Sequence, residues 1–195
     1  MRHHLPTVLV TGPIGSGKSL VCAYLDGHGI PVYDCDWRTK TIYDHRPKLV
    51  AGMEEALGMP LRGADGKLDR AKLAGIIFSS PEAREKVEDI VYPVVLRDFK
   101  RWRAAQKGVP FVVMESAVAL SKPVFDGIAD AVVLVTAPEE IRIERVMKRD
   151  GLSREQVLTR MAAQPPIPMS AVTDVLVNDE TTQCNVGQMV ESLFF

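Results

Sequence analysis

Residues 7–20 of the chain read TVLVTGPIGSGKSL. The first four residues are apolar or β-branched, and they predict a buried strand. The next segment, Gly12–Ser19, matches the pattern G-x-x-x-x-G-K-[S/T] in full. A helix is predicted from Lys18 to Asp26, because glycines at 27 and 29 end the helical pattern. A strand, a glycine-rich turn and a helix in this order indicate a loop that binds the phosphates of a nucleotide.

Each residue type in this loop has a physical role toward phosphate. Glycines let the backbone curve around the anion and aim successive N–H groups at it, and the following helix directs its positive end to the same point. Lys18 supplies a cation for the β- and γ-phosphates, and the Ser19 hydroxyl is a ligand for Mg²⁺. A chance turn would show this full pattern in about 1% or less of chains of this length. We therefore predict a nucleotide-phosphate site that includes Gly12, Gly15, Ser16, Gly17, Lys18, Ser19 and Leu20.

The rest of the chain alternates between apolar runs and helical patterns. Alternation of this kind predicts an α/β fold in three layers, with a five-stranded parallel sheet and helices on both of its faces. Ligands of such sheets bind at the carboxyl ends of the strands. Between residues 37 and 75 the chain is mostly polar and is predicted to be irregular around two short helices. Besides 7–10 and 18–26, the predicted strands are 30–33, 111–114, 131–135 and 172–177, and the predicted helices are 47–57, 69–77, 81–107, 138–150, 153–163 and 183–194.

Composition excludes several broad classes of protein. The 195 residues include 24 Lys+Arg and 25 Asp+Glu, so the formal charge is −1, and a general nucleic-acid binder would be more basic. No apolar run reaches the ~18–20 residues of a membrane span, and the start of the chain leaves no room for a signal peptide before the loop. The three cysteines form no disulfide pattern. We expect a cytoplasmic protein with a small-molecule substrate and no membrane or nucleic-acid partner, and the sequence leaves its oligomeric state open.

The phosphate loop alone is shared by switches, motors and kinases. A GTPase switch would need an Asn-Lys-x-Asp element, which the chain lacks, and a large ATPase usually needs more residues. A small kinase remains. Such an enzyme needs little covalent chemistry beyond positioning, charge neutralisation and a carboxylate that orients the acceptor hydroxyl.

Acidic residues at strand ends are the candidates for that carboxylate. Asp34 and Asp36 follow the second predicted strand, and either could accept the proton of the acceptor or hold a metal-bound water. An Asp-rich turn that caps a helix is the alternative reading. Glu115 ends the third predicted strand, where it could hold Mg²⁺ through water or cap the strand end.

Three arginines, Arg142, Arg145 and Arg149, share one face of a predicted helix. A guanidinium binds phosphate oxygens through a planar fork, so these residues could clamp the transferring phosphates. A solvated helix face with interleaved glutamates is the competing interpretation.

These elements, taken in order, resemble the dephospho-coenzyme A kinase family over nearly the whole chain. Beside the phosphate loop, the segments that carry the resemblance are Gly29–Asp36, Gly66–Arg70 with Leu73–Phe78, Arg149–Ser153 with Arg160 and Gln164, and Asp174–Asn178. The resemblance implies ATP-dependent phosphorylation of the ribose 3′-hydroxyl of dephospho-coenzyme A.

The resemblance also implies a division of roles along the chain. It makes residues 1–195 a single kinase domain, with a helical acceptor-binding insertion at about 37–108 and a lid at about 140–168. Asp36 becomes the general base, Asn178 falls near the adenine of ATP, and Asp34 and Tyr92 contact the acceptor.

The chain departs from the family pattern at three places. Tyr92-Pro93 stands where the family usually has His-Pro, the segment Ala117–Lys122 lacks an expected Glu, and Gln164-Pro165 replaces the usual Gln-Met. These departures leave two alternatives open, namely a kinase for another nucleoside or nucleotide hydroxyl and a non-catalytic ATP-binding regulator.

Overall fold

The computed structural model describes residues 5–179, which contain one five-stranded sheet. All of its neighbouring strands run parallel, in the order β2-β3-β1-β4-β5. The strands are β1 (Thr7–Thr11), β2 (Val32–Asp34), β3 (Val112–Glu115), β4 (Ala131–Thr136) and β5 (Asp174–Val177).

Seven α-helices connect the strands within the described residues. They are α1 (Lys18–Gly27), α2 (Cys35–His45), α3 (Pro47–Leu57), α4 (Arg70–Ser79), α5 (Pro81–Ala105), α6 (Glu139–Asp150) and α7 (Arg154–Ala162). Two of these helices begin at a serine cap. The Ser80 hydroxyl accepts from the Ala83 N–H at 3.1 Å, and Ser153 forms a capping box with Gln156 at the start of α7.

Both faces of the sheet are buried. On one face, Val10 and Val133 pack with Val21 and Leu25 of α1 in a continuous apolar cluster. On the other face, Leu9, Met114 and Leu134 are also buried. The apolar strand runs arise from this double burial, and the predicted α/β sheet is confirmed.

The strands β2 and β5 each begin two residues later than predicted, and turns at the predicted first residues account for this. The Ile30 N–H donates to the Leu25 carbonyl at 3.0 Å to close the end of α1, and Pro31 has no N–H to give to a sheet. The Val172 N–H likewise donates to the Met169 carbonyl at 3.2 Å, so β5 starts at Asp174.

The chain divides into two compact units. The described residues before Cys35 and after Trp102 form the unit that contains the sheet, α1, α6 and α7. The second unit, Cys35–Trp102, is helical. Its core consists largely of apolar side chains from α3 and α5, which include Val50, Met53, Val91, Val95 and Phe99.

The prediction of irregular chain after Trp37 was wrong for the region that forms α2. Only Cys35 and Ile42 of this helix are buried, so it lacks the repeated apolar spacing that would reveal it in the sequence. Its polar side chains also bond to its own backbone, as the Thr39 hydroxyl does to the Cys35 carbonyl at 2.7 Å.

None of the described helices combines the length and apolar character that crossing a bilayer would require. The helix predicted at 183–194 lies outside the described residues.

Candidate active site

The phosphate loop joins β1 to α1 through three glycines with positive φ. The φ angles of Gly12, Gly15 and Gly17 are 152°, 79° and 95°. A Cβ at Gly12 would overlap the Val135 carbonyl oxygen, and one at Gly17 would overlap the Asn178 side-chain amide. Glycine is therefore required at these positions both for the backbone conformation and for the close approach of the loop to its surroundings.

Side chains from outside and inside the loop bind its carbonyl oxygens. Lys18 Nζ lies 3.0 Å from the Gly12 oxygen, Arg145 Nη1 lies 3.4 Å from the Gly15 oxygen, and Asn178 Nδ2 lies 3.0 Å from the Ser16 oxygen. These three bonds fix carbonyl oxygens of the loop and so restrain its backbone.

The N–H groups of the loop are left for another acceptor. Over the described part of the chain, no residue accepts a hydrogen bond from the N–H of Gly15, Gly17 or Ser19. The Ser16 hydroxyl is completely buried and has no hydrogen-bond partner among the described residues. Unpaired buried polar groups are costly, so these donors together fit the oxygens of a bound phosphate.

The Glu115 carboxylate at the end of β3 lies beside the start of α1. Its Oε1 accepts from the Ser19 hydroxyl at 3.0 Å, and the Cys22 thiol also donates to it. Burial raises the pKa of the Glu115 carboxyl, and the nearby charge of Asp34 raises it further. The hydrogen bond from Ser19 acts in the opposite direction and lowers this pKa. Burial also raises the pKa of the Cys22 thiol, which keeps it a proton donor.

The oxygen atoms of Ser19, Glu115 and Asp34 suit a hard cation that takes few ligands from the protein. Asp34 pairs with Glu115 in the register of β2 and β3, so both carboxylates lie at the same edge of the sheet as the Ser19 hydroxyl. Among the described residues, no three His, Cys, Asp or Glu side chains form a closed metal cage. Mg²⁺ usually keeps several of its waters and takes few protein ligands, so the residues present fit it.

The three arginines of α6 have separate surroundings. Arg145 reaches the phosphate loop, whereas Arg142 Nε donates to the Ala137 carbonyl at 3.1 Å and its Nη2 lies 3.8 Å from Glu139. Arg149 forms two hydrogen bonds with the neighbouring Asp150. The shared helix face therefore does not bring all three guanidinium groups to one point.

Asn178 is 2% exposed and bonds through both its backbone and its side chain. Its N–H donates to the Thr136 carbonyl at 2.7 Å, and its side-chain amide holds Ser16. The structure thus places this side chain against the phosphate loop. Leu20, also predicted for the ATP site, donates its N–H to the Gly17 carbonyl at 3.0 Å and exposes its side chain.

A cavity of about 590 Å³ lies beside the loop in the same unit. Gly12 and Pro13 line it on one side, and α7 with the following prolines lines it on another. At its rim, Gln164 Oε1 accepts from the Ile14 N–H at 2.7 Å. The sequence analysis did not predict this contact between Gln164 and the phosphate loop, because nothing in the local sequence links residues 150 positions apart.

In the helical unit, Asp36 lies in the first turn of α2 and Tyr92 lies in α5. The Tyr92 hydroxyl donates to Glu88 Oε1 at 3.0 Å. Burial, with the charges of Glu88 and Asp36 and with Tyr43 nearby, raises the pKa of Tyr92. Burial raises the pKa of Tyr43 to about 12. Tyr92 is therefore a neutral phenol whose surroundings include the charge of Asp36.

Comparisons with known proteins agree with these features. A family model described as Dephospho-CoA kinase matches residues 7–183. A dephospho-CoA kinase of Porphyromonas gingivalis is 42% identical over 158 residues, which cover 81% of this chain and 77% of that protein.

Solved structures share the whole architecture. A crystal structure from Thermus thermophilus superposes with a TM-score of 0.83 at 32% identity, covering 98% of this chain and 97% of its own. A dephospho-CoA kinase from Campylobacter jejuni gives a TM-score of 0.59 at 21% identity, covering 96% and 94% of the two chains, and supports the fold.

Proposed function

Since the chain belongs to the dephospho-CoA kinase family, we propose that it transfers the γ-phosphoryl group of ATP to the ribose 3′-hydroxyl of dephospho-coenzyme A. The products are coenzyme A and ADP. The observation that carries the proposal is the phosphate loop. Among the described residues, the N–H groups of Gly15, Gly17 and Ser19 and the Ser16 hydroxyl have no hydrogen-bond acceptor. Such groups, fixed before the nucleotide binds, stabilise phosphate charge without reorganisation.

ATP is held by the loop, by Lys18 and by the arginines of the lid. Lys18 exchanges its hydrogen bonds to the loop carbonyl oxygens for bonds to phosphate oxygens. Arg145 and Arg149 of α6 bind the phosphates of the same nucleotide. Asn178 acts on ATP through Ser16, whose backbone it fixes. Mg²⁺ would bind the Ser19 hydroxyl, with Glu115 and Asp34 reached through water, and would neutralise charge on the phosphates.

Asp36 is the proposed general base. It accepts the proton of the 3′-hydroxyl as that oxygen bonds to the γ-phosphorus and the bond to the β-phosphate oxygen breaks. Asp36 is the second residue after the end of β2 along the chain, in the first turn of α2. Ligands of parallel sheets bind at the carboxyl ends of the strands.

Tyr92 is the proposed acceptor contact in the helical insertion at about 37–108. Its hydroxyl donates to Glu88. A phenol oxygen can accept a hydrogen bond as well as donate one, so a hydroxyl group of the substrate is a suitable partner. The lid at about 140–168 closes over ATP and excludes water, since the γ-phosphoryl group would otherwise pass to solvent. The three cysteines of the sequence show no disulfide pattern, which favours a reducing compartment and agrees with the proposed cytoplasmic location.

A kinase for another nucleoside hydroxyl is the second candidate, and Tyr92 is the observation that favours it. A neutral phenol replaces a residue that can become a cation, at a position that contacts the acceptor in the proposed enzyme. Phosphate groups on the acceptor would consequently be bound less strongly there.

The test is ADP release coupled to a spectrophotometric assay, with dephospho-coenzyme A, adenosine and other nucleosides compared at equal concentration. We expect Mg²⁺-dependent turnover that is fastest with dephospho-coenzyme A. Faster turnover with another acceptor would favour the second candidate, and nucleotide binding without turnover on any acceptor would contradict both.

The Asp36→Asn variant tests the role of Asp36 as a base independently of ATP binding. We expect kcat to fall at least about tenfold, because the amide cannot accept the proton, while the Kd for ATP stays within about twofold. Calorimetry and the coupled assay measure the two quantities. An unchanged kcat would rule out Asp36 as the base.

A further inference from the structure

Asp150, the last residue of α6, binds arginines from both helices of the lid. Its Oδ1 accepts from Arg149 Nε at 2.7 Å, and its Oδ2 accepts from Arg149 Nη2 at 3.1 Å. The same Oδ2 accepts from Arg160 Nη1 of α7 at 3.1 Å. Gly151, with φ of 67°, ends α6 directly after this carboxylate. One side chain thus collects two guanidinium groups across the turn of the lid.

The pattern of hydrogen bonds leaves both guanidinium groups able to bind more. Arg149 uses its Nε and Nη2 edge, and no other described residue accepts a bond from it. A guanidinium has five N–H donors in a planar fork, so the Nη1 end of Arg149 can still take two oxygens of a phosphate. The side chains of Arg149 and Arg160 are 62% and 42% exposed, so phosphate can reach them.

Two guanidinium groups at one point repel each other, and Asp150 offsets that repulsion. Its neighbour Arg149 holds the pKa of the Asp150 carboxyl below its usual range, so the carboxylate stays charged at neutral pH. The three residues together carry a formal charge of +1, and a phosphate chain would face this charge with both arginines already gathered. Ordering long side chains before binding reduces the entropy that binding would otherwise lose.

We propose that Asp150 is a positioning residue that holds Arg149 and Arg160 as a single clamp for the transferring phosphoryl group. The proposal rests on the proposed function for ATP as the phosphate donor. It adds Arg160 to the phosphate-binding residues and gives Asp150 a role that requires no contact with the nucleotide.

The lid offers a matched control in a second ion pair between the same two helices. Glu140 of α6 accepts two hydrogen bonds from Arg154 of α7, each at 2.7 Å. Neither residue belongs to the proposed ATP site. Loss of this pair removes a link between α6 and α7 and leaves Arg149 and Arg160 in place.

The experiment compares Asp150→Asn with Glu140→Gln in the full-length protein. Calorimetry gives the Kd for ATP and for ADP without acceptor, and the coupled assay gives kcat and KM. We expect Asp150→Asn to raise the Kd for ATP about tenfold and that for ADP about twofold or less. The reason is that the proposed clamp binds the γ-phosphate, which ADP lacks. Glu140→Gln should change each quantity by about twofold or less, as expected for an exposed pair.

Equal effects of the two variants on ATP binding would overturn the proposal, since both remove one link in the lid. An Asp150→Asn protein whose ATP and ADP affinities match the wild type would also overturn it. Circular dichroism checks that each variant folds, and Asp150→Glu, which keeps the charge, should recover part of the ATP affinity. The Kd measurements need no acceptor, so a wild-type chain inactive toward dephospho-coenzyme A would refute the proposed reaction and leave this test standing.

Discussion

The phenol of Tyr92 shows how one residue changes the chemistry of a site. The hydroxyl donates to Glu88, and burial with nearby negative charge raises its pKa, so Tyr92 stays neutral over the range in which proteins are assayed. A histidine in the same surroundings would titrate near neutral pH, because its ordinary pKa is about 6.5. Glu88 and Asp36 would favour its cationic form.

Tyr92→His should therefore introduce a pH dependence of acceptor binding. Below the pKa of the new imidazole, its positive charge attracts the acceptor phosphates, so KM for dephospho-coenzyme A should be lower there than at higher pH. The wild type and Tyr92→Phe should lack this step, since neither side chain titrates in the range. Steady-state KM across pH measures the difference, and identical profiles for all three proteins would contradict the proposed contact between Tyr92 and the acceptor.

Gly17 occupies a position at which a Cβ atom cannot be accommodated. Its φ of 95° is unfavourable for other residues, and a Cβ would overlap the Asn178 amide that holds Ser16. The loop and the end of β5 are therefore packed too closely for any side chain at this position.

Gly17→Ala should lose about 1–3 kcal/mol of unfolding free energy through backbone strain, and it should bind ATP at least about tenfold more weakly. Gly75→Ala in α4 is the control. Nothing lies within 4 Å of its new methyl group, and alanine should stabilise this helix by about 0.5–1 kcal/mol. Urea titration and calorimetry measure both effects, and a Gly17→Ala protein that binds ATP normally would show that the loop can move away from Asn178.

At the scale of elements, the proposed lid consists of α6 and α7, which are joined at Gly151. A residue just beyond α7 bonds to the phosphate loop. Ile143 and Val146 of α6 pack with Val157 of α7 in a small apolar cluster. Beyond α7, the Gln164 side chain reaches Ile14. A small cluster supplies limited stability, so the capping box at Ser153 matters for whether α7 persists.

Ser153→Ala should reduce the stability of α7 by about 1 kcal/mol, because the Gln156 N–H loses its acceptor. We expect faster proteolysis between residues 150 and 168, and we expect ATP with acceptor to slow this cleavage in both proteins as the lid closes. Thr159→Ala lies on the same helix outside the cap and serves as the control. Cleavage that proceeds at the same rate with and without ligands would contradict lid closure.

At the scale of the whole molecule, the phosphate loop, Glu115 and the lid helices belong to the unit with the sheet, whereas Asp36 and Tyr92 belong to Cys35–Trp102. The proposed base is only the second residue of that helical unit. ATP should consequently stabilise the folded chain through the first unit, without need of the acceptor.

ATP with Mg²⁺ at about 100 times its Kd should add about 2.7 kcal/mol to the free energy of unfolding. For a chain of this size that corresponds to a rise in Tm of about 5–11 °C. Differential scanning fluorimetry measures the shift, with Gly17→Ala as the protein in which it should be much smaller. A wild-type Tm that ATP leaves unchanged would argue against nucleotide binding at the loop.

Local patterns explain why much of this molecule was predictable. The phosphate loop is a continuous segment in which the glycines, Lys18 and Ser19 lie within a few residues of one another. A short stretch of sequence is therefore enough to predict it. The caps at Ser80 and Ser153 are equally local, and the confirmed parallel sheet follows from apolar strands that alternate with helices. The helix α2 was missed because its burial depends on two residues seven positions apart.

The sequence by itself determined the fold class and the phosphate-loop motif, because short-range backbone geometry and apolar periodicity encode them. The order of its motifs carried the resemblance to the family. Only the tertiary structure decided which distant side chains act on that loop. Asn178 meets Ser16 across 162 positions, and Gln164 meets Ile14 across 150. The Asp150 carboxylate collects arginines from two helices in the same way. Such contacts depend on how β5 and the lid pack beside β1, and packing brings together residues that no local pattern relates.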